Sequence, residues 1–248
     1  MASVAMRMEN VVKRFEDVTA LDGVTLEVFR GEIFGLLGPN GAGKTTTVNI
    51  LTGHVRPTSG RAVVLGHDVT VDVTRIKGLI GVCPQETAVY HHLTGWENIE
   101  LFGDLHLLNR EVVKTRGGEL IRKMSLEHDI RRKTAKYSGG MRRRLSLVLA
   151  LIHDPEMVFL DEPTVGMDPQ SRRAVWDLVR GLRNAGKTVF LTTHYMEEAE
   201  ELCDRVGVID HGRVIALDTP RRLIAGRGVR NLEEVFIALT GRRIREEI

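Results

Sequence analysis

Residues 38–45 have the sequence G-P-N-G-A-G-K-T, which fits the phosphate-loop pattern G-x-x-x-x-G-K-S/T at every position. The apolar run Ile33–Leu37 precedes the segment and predicts a buried strand, and a helix is predicted to follow and to end near Gly53. Glycines let the backbone turn tightly and approach a ligand closely, so successive amide N–H groups at a helix start can bind phosphate oxygens. The alternative is a glycine turn with an incidental lysine, which the full match in this setting disfavours.

The predicted phosphate loop defines a set of nucleotide-binding residues. Lys44 is expected to reach the β- and γ-phosphates of a nucleoside triphosphate, and the Thr45 hydroxyl is expected to bind Mg²⁺. The residues assigned to nucleotide binding here are Gly38, Pro39, Asn40, Gly41, Ala42, Gly43, Lys44, Thr45 and Thr46.

Two carboxylates follow the apolar segment Met157–Leu160, which predicts another strand. Ligands bind at the carboxyl ends of the strands in α/β sheets, so Asp161 and Glu162 are candidates for chemistry on the phosphate. Asp161 is expected in the Mg²⁺ shell, and Glu162 is expected to activate or orient the attacking water as a general base. The alternative is a solvated acidic strand end, and the presence of the phosphate loop favours the functional interpretation.

A second glycine signature, Tyr137–Met141 (Y-S-G-G-M), precedes an apolar helical pattern. Ser138 can cap that helix or bind an anion, and Gly139 and Gly140 permit close backbone approach. A nucleotide has only one γ-phosphate, yet the chain has two predicted phosphate-binding helix starts. The simplest arrangement has two chains facing head to tail, so that the Ser138 site of each closes over the phosphate loop of the other.

The composition is that of an ordinary globular protein: of 248 residues, 42% are hydrophobic and 27% are charged, with a formal net charge of +2. These values exclude a disordered or collagen-like chain, and the balanced charge does not suggest a dedicated nucleic-acid-binding protein. Cys83 and Cys203 are expected to be free thiols in a reducing compartment. The longest strongly apolar stretch, Leu145–Ile152, is far shorter than the roughly 20 residues that span a bilayer, so membrane association is expected only through a partner.

Strand and helix signals alternate along most of the chain, which predicts an α/β protein. The exception is the segment 86–150, where the pattern is largely helical. We interpret this segment as a helical insertion in an α/β core formed by residues 1–85 and 151–220. Residues 221–248 are expected to form C-terminal helices, and the whole chain to form one domain.

These motifs and their order make the sequence resemble the ATP-binding cassette family over essentially the whole chain. The matching elements are the adenine-stacking aromatic Phe15, the Walker A loop 38–45, the Q-loop residue Gln85, the signature Tyr137–Met141, the Walker B strand Met157–Glu162, the D-loop Val165–Asp168 and the switch histidine His194. The resemblance implies a P-loop NTPase core with a parallel sheet, an N-terminal antiparallel β portion and an inserted helical subdomain. It implies ATP and Mg²⁺ as ligands.

The resemblance also implies roles for single residues, each of which has an ordinary structural alternative. Phe15 is implied to stack on adenine, the alternative being a core aromatic. Gln85 is implied to contact Mg²⁺ and water rather than to cap a loop, and His194 to hydrogen-bond the γ-phosphate rather than to be an ordinary surface or core histidine. The implied catalytic residues are Glu162, His194, Lys44 and Gln85, the implied metal ligands are Thr45, Gln85 and Asp161, and Tyr137, Ser138, Gly139 and Gly140 join the nucleotide-binding set.

The finer pattern, Y-S-G-G-M-R-R-R with a closing L-E-E-V-F-I-A-L-T-G, resembles the subgroup of cassette ATPases that pair with ABC-2-type permeases, including drug-resistance exporters. Met141 departs from the family, which usually has glutamine at that position. The resemblance implies an ATPase that drives transport, in the direction of export, through a separate integral membrane permease. It also implies a second ATPase chain, as a homodimer, and a location on the cytoplasmic face of the cell membrane.

Two other classes of protein fit less well. Cassette ATPases of DNA repair or translation typically carry tandem cassettes or long coiled-coil insertions, and neither appears in this sequence. A nucleotide-gated binding module that does not hydrolyse ATP is disfavoured by the presence of Glu162. The basic run Arg131–Arg144 permits a nucleic-acid interpretation, but Tyr137 is its only aromatic residue. We interpret the run as a solvated helix face that adds positive potential near ATP, so no nucleic-acid partner is expected.

Overall fold

The computed structural model describes residues 3–241, which form two sheets surrounded by helices. The strands are β1 (Val4–Phe15), β2 (Val18–Phe29), β3 (Ile33–Leu37), β4 (Ser59–Val64), β5 (His67–Asp68), β6 (Ile80–Cys83), β7 (Met157–Asp161), β8 (Thr188–Thr193), β9 (Arg205–Asp210) and β10 (Arg213–Asp218). The α-helices are α1 (Lys44–Leu51), α2 (Val73–Leu79), α3 (Gly95–Leu105), α4 (Arg110–Lys123), α5 (Gly139–Leu151), α6 (Pro169–Asn184), α7 (Met196–Leu202), α8 (Pro220–Ala225) and α9 (Leu232–Thr240), and Thr134–Lys136 form a 3₁₀-helix. None of the helices in this described part of the chain has both the length and the apolar character needed to cross a membrane.

The two sheets differ in strand direction. The first is antiparallel, with the order β2-β1-β4-β5, and the second has the order β10-β9-β3-β8-β7-β6. In the second sheet the strands from β9 to β6 run parallel, and the edge strand β10 is antiparallel to β9. The predicted α/β fold, with a parallel sheet and an N-terminal antiparallel β portion, is therefore confirmed.

The centre of the parallel sheet is buried on both faces, and every residue of β3, β7 and β8 is buried. Alternate residues of β3 point to opposite sides. Phe34 and Leu36 pack with the antiparallel sheet, whereas Ile33 and Leu37 pack with the cluster that contains the helices of the other side. This packing from both sides fixes β3 and hence the start of the phosphate loop.

The predicted site residues lie at one edge of the parallel sheet. The strands β3, β6, β7 and β8 are parallel, so their carboxyl ends lie at the same edge. The phosphate loop follows β3, Gln85 follows β6 after Pro84, Glu162 follows β7, and His194 follows β8. Residues that are far apart in the sequence are thereby brought to one place.

The segment 86–150 contains α3, α4, the 3₁₀-helix and most of α5. At the start of α3, Thr94 forms a capping box with Glu97, which satisfies backbone N–H groups at the helix N-terminus. The division of the chain into a core, a helical subdomain and C-terminal helices stays a prediction. Of the expected C-terminal part, residues 242–248 lie outside the described residues.

Both cysteines, Cys83 and Cys203, are free and buried, which confirms the prediction of free thiols. Burial raises the pKa of both thiols. Both side chains are therefore held in the neutral, weakly nucleophilic form.

Two stacked histidines connect stability to pH. The rings of His106 and His153 lie 3.7 Å apart between centroids and are nearly parallel. Burial lowers the pKa of both rings, that of His153 to about 4 with a contribution from the charge of His106. Nε2 of His153 lies 2.9 Å from the carbonyl oxygen of Ile80, and its Nδ1 is buried with no hydrogen-bond partner within residues 3–241. The fold therefore favours the neutral imidazole.

We expect the melting temperature to fall more steeply with acidification in the wild-type chain than in His153→Gln. The pKa of His153 is about 4 in the fold and 6.5 ordinarily, so its contribution to stability is complete above pH 6.5 and is lost as the pH falls toward 4. Thermal melts across this interval measure the difference. His92→Gln, which changes an exposed histidine, is the matched control, and parallel curves for wild type and His153→Gln would contradict the expectation.

Candidate functional site

The predicted phosphate loop connects β3 to α1, in the strand–loop–helix setting that its sequence indicates. Gly41 and Gly43 have φ angles of +79° and +107°, which residues with a Cβ rarely adopt. A Cβ on Gly43 would also lie 2.7 Å from the carbonyl oxygen of Ala20. Glycine is therefore required at both positions by the backbone that forms the loop.

A cavity of about 340 Å³ lies over the loop. Its lining residues are Val18, Thr19, Ala20, Pro39, Asn40, Gly41, Gly43, Lys44, Thr45, Thr46, Gln85 and Glu162. Gly38 and Ala42, which complete the predicted set of loop residues, are buried. The cavity thus brings Gln85 and Glu162 to the phosphate loop, as the sequence motifs predict.

Phe15 lies beside this cavity rather than in the core. It pairs with the cavity-lining Val18 across the turn between β1 and β2. Phe15 is 45% exposed, and the Lys13 ammonium lies 4.6 Å from the centroid of its ring. This placement excludes the core-aromatic alternative, and stacking of Phe15 on adenine stays a prediction.

The Glu162 carboxylate contacts the side chains of two other predicted catalytic residues, Lys44 and His194. The Lys44 ammonium lies 3.0 Å from Oε1 of Glu162 and donates to the carbonyl oxygens of Gly38 at 2.8 Å and Pro39 at 3.2 Å. Oε2 of Glu162 lies 2.9 Å from Nδ1 of His194. Lys44 and Glu162 are 5% and 4% exposed, so this ion pair is largely desolvated.

Glu162 is ionised despite its burial. Burial by itself raises the pKa of a carboxyl group, but the hydrogen bond from His194 and the charge of Lys44 outweigh it and hold the pKa of Glu162 below its usual range. An ionised carboxylate only accepts hydrogen bonds, so Nδ1 of His194 carries the proton that it donates to Oε2. A carboxylate in this state can take a proton from water, as a general base must.

The hydroxyl of Thr192 in β8 forms hydrogen bonds with both Asp161 and Glu162. Glu162 has a φ of +51°, a left-handed conformation that a non-glycine residue adopts only when its surroundings hold it. Its N–H donates to the hydroxyl of Thr192 at 3.0 Å, and the same hydroxyl donates to the Asp161 carboxylate at 2.5 Å. Sequence reasoning missed Thr192, which is one of three threonines in β8, so its type alone does not distinguish it from Thr188 and Thr193.

The second glycine signature lies at the N-terminus of α5. Ser138 is the N-cap, and its hydroxyl accepts from the N–H of Met141 at 3.1 Å. An added Cβ on Gly139 or Gly140 would meet no atom within 4 Å in the described chain. We call Ser138, Gly139 and Gly140 the Ser138 cradle. Its residues are not among those that line the phosphate-loop cavity, so within residues 3–241 the two predicted phosphate sites are separate.

Tyr137 is placed differently from the rest of the signature. The residue is 4% exposed, and its hydroxyl donates to the carbonyl oxygen of Asp129 at 2.7 Å. Burial raises the pKa of the hydroxyl to about 12. The Tyr137 side chain therefore belongs to the core. From this buried position, its ring does not make the nucleotide contact that the resemblance implies.

The interpretation of the basic run Arg131–Arg144 as a solvated face is wrong for Arg143. Arg143 is 5% exposed, and its guanidinium donates to backbone carbonyls beyond the ends of β6 and β7. A count of charges cannot distinguish it from the neighbouring arginines. Helical spacing does not distinguish it either, because residues 145–151 of α5 are all buried and each of the three arginines shares a face with some of them.

The fold and the site define a P-loop ATPase. Comparisons with known proteins identify the family of P-loop ATPases to which the chain belongs. Residues 21–165 match the family model described as "ABC transporter". The chain is 47% identical over 236 residues to the daunorubicin resistance ATP-binding protein DrrA3 of Streptomyces coeruleorubidus. This alignment covers 95% of this chain and 75% of that protein. It is 43% identical over 232 residues to the doxorubicin resistance ATP-binding protein DrrA of Mycobacterium tuberculosis, over 90% of this chain and 70% of that protein.

A solved structure agrees with these relatives. The dimeric, post-hydrolysis structure of the ATP-binding cassette MJ0796, bound to ADP and Pi, matches with a TM-score of 0.80 and 27% identity, over 86% of this chain and 98% of that one. The chain belongs to the ABC transporter family, as an ATP-binding and ATP-hydrolysing subunit.

Proposed function

We propose that two copies of the chain bind two ATP molecules between them. Each ATP is held by the phosphate loop of one copy and by the Ser138 cradle of the other. The observation that carries the proposal is the separation of the two sites in one chain, since Ser138 and Gly139 are exposed and do not line the cavity over Lys44. The dimeric state of the related MJ0796 cassette supports it.

Within each pocket, Lys44 and Glu162 have separate tasks. The Lys44 ammonium has three donors, which can exchange carbonyl acceptors for oxygens of the β- and γ-phosphates. The Glu162 carboxylate takes a proton from the attacking water, whose oxygen bonds to the γ-phosphorus as the bond to ADP breaks.

His194 is proposed to sense the γ-phosphate. Its Nδ1 proton is donated to Glu162, so Nε2 is the nitrogen that remains for a phosphate oxygen. Phosphate oxygens accept hydrogen bonds, so this contact requires a proton on Nε2 as well.

The residues proposed as Mg²⁺ ligands fit the ion by their chemistry. The Thr45 hydroxyl, the Gln85 amide oxygen and the Asp161 carboxylate are hard oxygen donors of the kind that Mg²⁺ prefers. Thr45 and Gln85 line the same cavity, and the hydrogen bond from Thr192 holds the Asp161 carboxylate. When bound with ATP, Mg²⁺ neutralises negative charge on the phosphate oxygens.

The ATPase is proposed to drive export through a separate membrane permease of the ABC-2 type. The names of the relatives, which refer to daunorubicin and doxorubicin resistance, support this direction of transport. ATP can shift the pair toward its closed form only if it binds that form more tightly than the open one. The chain would lie on the cytoplasmic face of the membrane, held there by the permease.

Gly139→Val tests the shared pocket. An added side chain at Gly139 meets open space in its own chain, so the variant should fold and should bind ATP as the wild type does. In the proposed dimer, the same side chain would fill the space of the γ-phosphate held by the other copy. We therefore expect ATP turnover to fall by about 100-fold or more, measured by a steady-state ATPase assay, while calorimetry shows unchanged ATP affinity.

Gly181→Val is the matched control. Gly181 in α6 also has no atom within 4 Å of an added Cβ in the described chain, and it is not among the residues that line the phosphate-loop cavity. Its turnover should equal that of the wild type. Full turnover in Gly139→Val would refute the shared pocket, and loss of ATP binding by the isolated variant would place Gly139 in the pocket of its own chain.

A further inference from the structure

Arg143 is a buried guanidinium that backbone carbonyls surround. Its Nη1 donates to the backbone carbonyl oxygen of Gln85 at 3.0 Å, and its Nη2 donates to the backbone carbonyl oxygen of Glu162 at 2.7 Å. The accepting carbonyl oxygens belong to Pro84, Gln85, Asp161, Glu162 and Pro163. One side chain of α5 therefore satisfies carbonyls from two separate turns.

These two turns follow neighbouring strands. β6 and β7 pair in parallel as far as Cys83 and Leu160, and the two turns follow beyond that point. The guanidinium has N–H donors in a rigid planar fork, so it can hold both turns at once. A lysine would retain the charge, but its compact ammonium has only three donors on a flexible stem.

The turn after β7 contains the strained Glu162. Thr192 holds the N–H side of this residue at 3.0 Å, and Arg143 holds its carbonyl side at 2.7 Å. The left-handed backbone between these two contacts directs the carboxylate toward Lys44 and His194. The position of the proposed general base thus depends on Arg143.

We propose that Arg143 is a positioning residue that ties the Ser138 cradle to Glu162 and to the Gln85 turn of the same chain. The cradle begins α5, and Arg143 lies five residues after Ser138 on that helix, about 7.5 Å along the axis. The inference rests on the proposed function, in which the cradle contacts one ATP and Glu162 of the same chain acts on the other. Arg143 then transmits the position of the cradle on one ATP to the carboxylate that acts on the other.

Arg143→Gln and Arg143→Lys test this role, with Arg144→Gln as the matched control. The Arg144 guanidinium also donates to backbone carbonyls, those of Met124 and Ser125 at 2.7 and 3.2 Å, but these belong to the helical segment. We expect Arg143→Gln to lower the ATP turnover number by about 100-fold while the dissociation constant for ATP changes by less than about threefold. Arg143→Lys should lose about tenfold, and Arg144→Gln should retain wild-type turnover.

The readouts are steady-state ATPase rates, calorimetric ATP titrations and thermal melts of the full chain. Wild-type turnover in Arg143→Gln, or equal losses in Arg143→Gln and Arg144→Gln, would overturn the positioning role and leave the shared pocket standing. If Arg143→Gln does not fold, Arg143→Lys decides: reduced turnover with unchanged ATP binding supports the role, and unchanged turnover overturns it. A wild-type chain without ATP turnover would overturn the proposed function and this inference with it.

Discussion

Glu162→Gln is expected to lower the ATP turnover number by about 10²–10⁴-fold, the usual contribution of a general base, while ATP binding is retained. The amide has nearly the shape of the carboxylate but does not take a proton from water. It also ends the ion pair in which the Lys44 ammonium lies 3.0 Å from Oε1. Lys44 then remains available to the phosphates, so no loss of ATP affinity is expected.

The same variant should accumulate as an ATP-bound dimer, because hydrolysis reopens the pair in the proposed cycle. Sedimentation with Mg-ATP detects the dimer, and a steady-state assay gives the rate. Glu156→Gln is the matched control, since Glu156 lies just before β7 and forms an exposed ion pair with Arg30 at 3.0 Å. Unchanged turnover in Glu162→Gln would reject the role of general base.

Lys44→Ala is expected to remove most of the ATP binding of the chain. Hydrogen bonds to charged groups contribute about 1.5–3 kcal/mol each. Loss of contacts to two phosphates should therefore weaken ATP binding by about 100-fold or more. Isothermal titration calorimetry with ATP measures the change directly.

The control for Lys44→Ala is Lys187→Ala. The Lys187 ammonium also has a carbonyl and a carboxylate partner, both on Asp154 at 3.3 and 3.1 Å, but it is not among the residues that line the phosphate-loop cavity. Its removal should leave ATP affinity unchanged. Near-normal affinity in Lys44→Ala would contradict the phosphate-loop assignment, and an equal loss in both variants would indicate general destabilisation.

Local sequence patterns predicted the elements whose residues are neighbours in the chain. β3 has the predicted bounds Ile33–Leu37, and α1 ends at Leu51, close to the predicted stop at Gly53. The reason is physical: an apolar run between glycines defines a buried strand, and the glycine spacing defines the loop backbone. The same local rules placed Asp161 and Glu162 at a strand end.

Contacts between residues distant in sequence could not be predicted in this way. Arg143 reaches the carbonyl of Glu162 across 19 residues, and Thr192 reaches Asp161 across 31. Both contacts exist only because parallel strands end at a common edge, which no local pattern encodes. The placement of the Tyr137 side chain could not be predicted for a related reason. The motif around Tyr137 indicates a ligand site, whereas burial of its ring depends on the residues that pack around it.

The state of the two native thiols makes the chain suited to site-specific labelling. Maleimide reagents react with exposed thiolates, and neither Cys83 nor Cys203 presents one. A cysteine introduced at Val71, which is exposed and lies outside both the phosphate-loop cavity and the Ser138 cradle, would therefore carry a fluorophore selectively, without removal of the native cysteines. Energy transfer between two labelled copies would then report the approach of one molecule to another in real time.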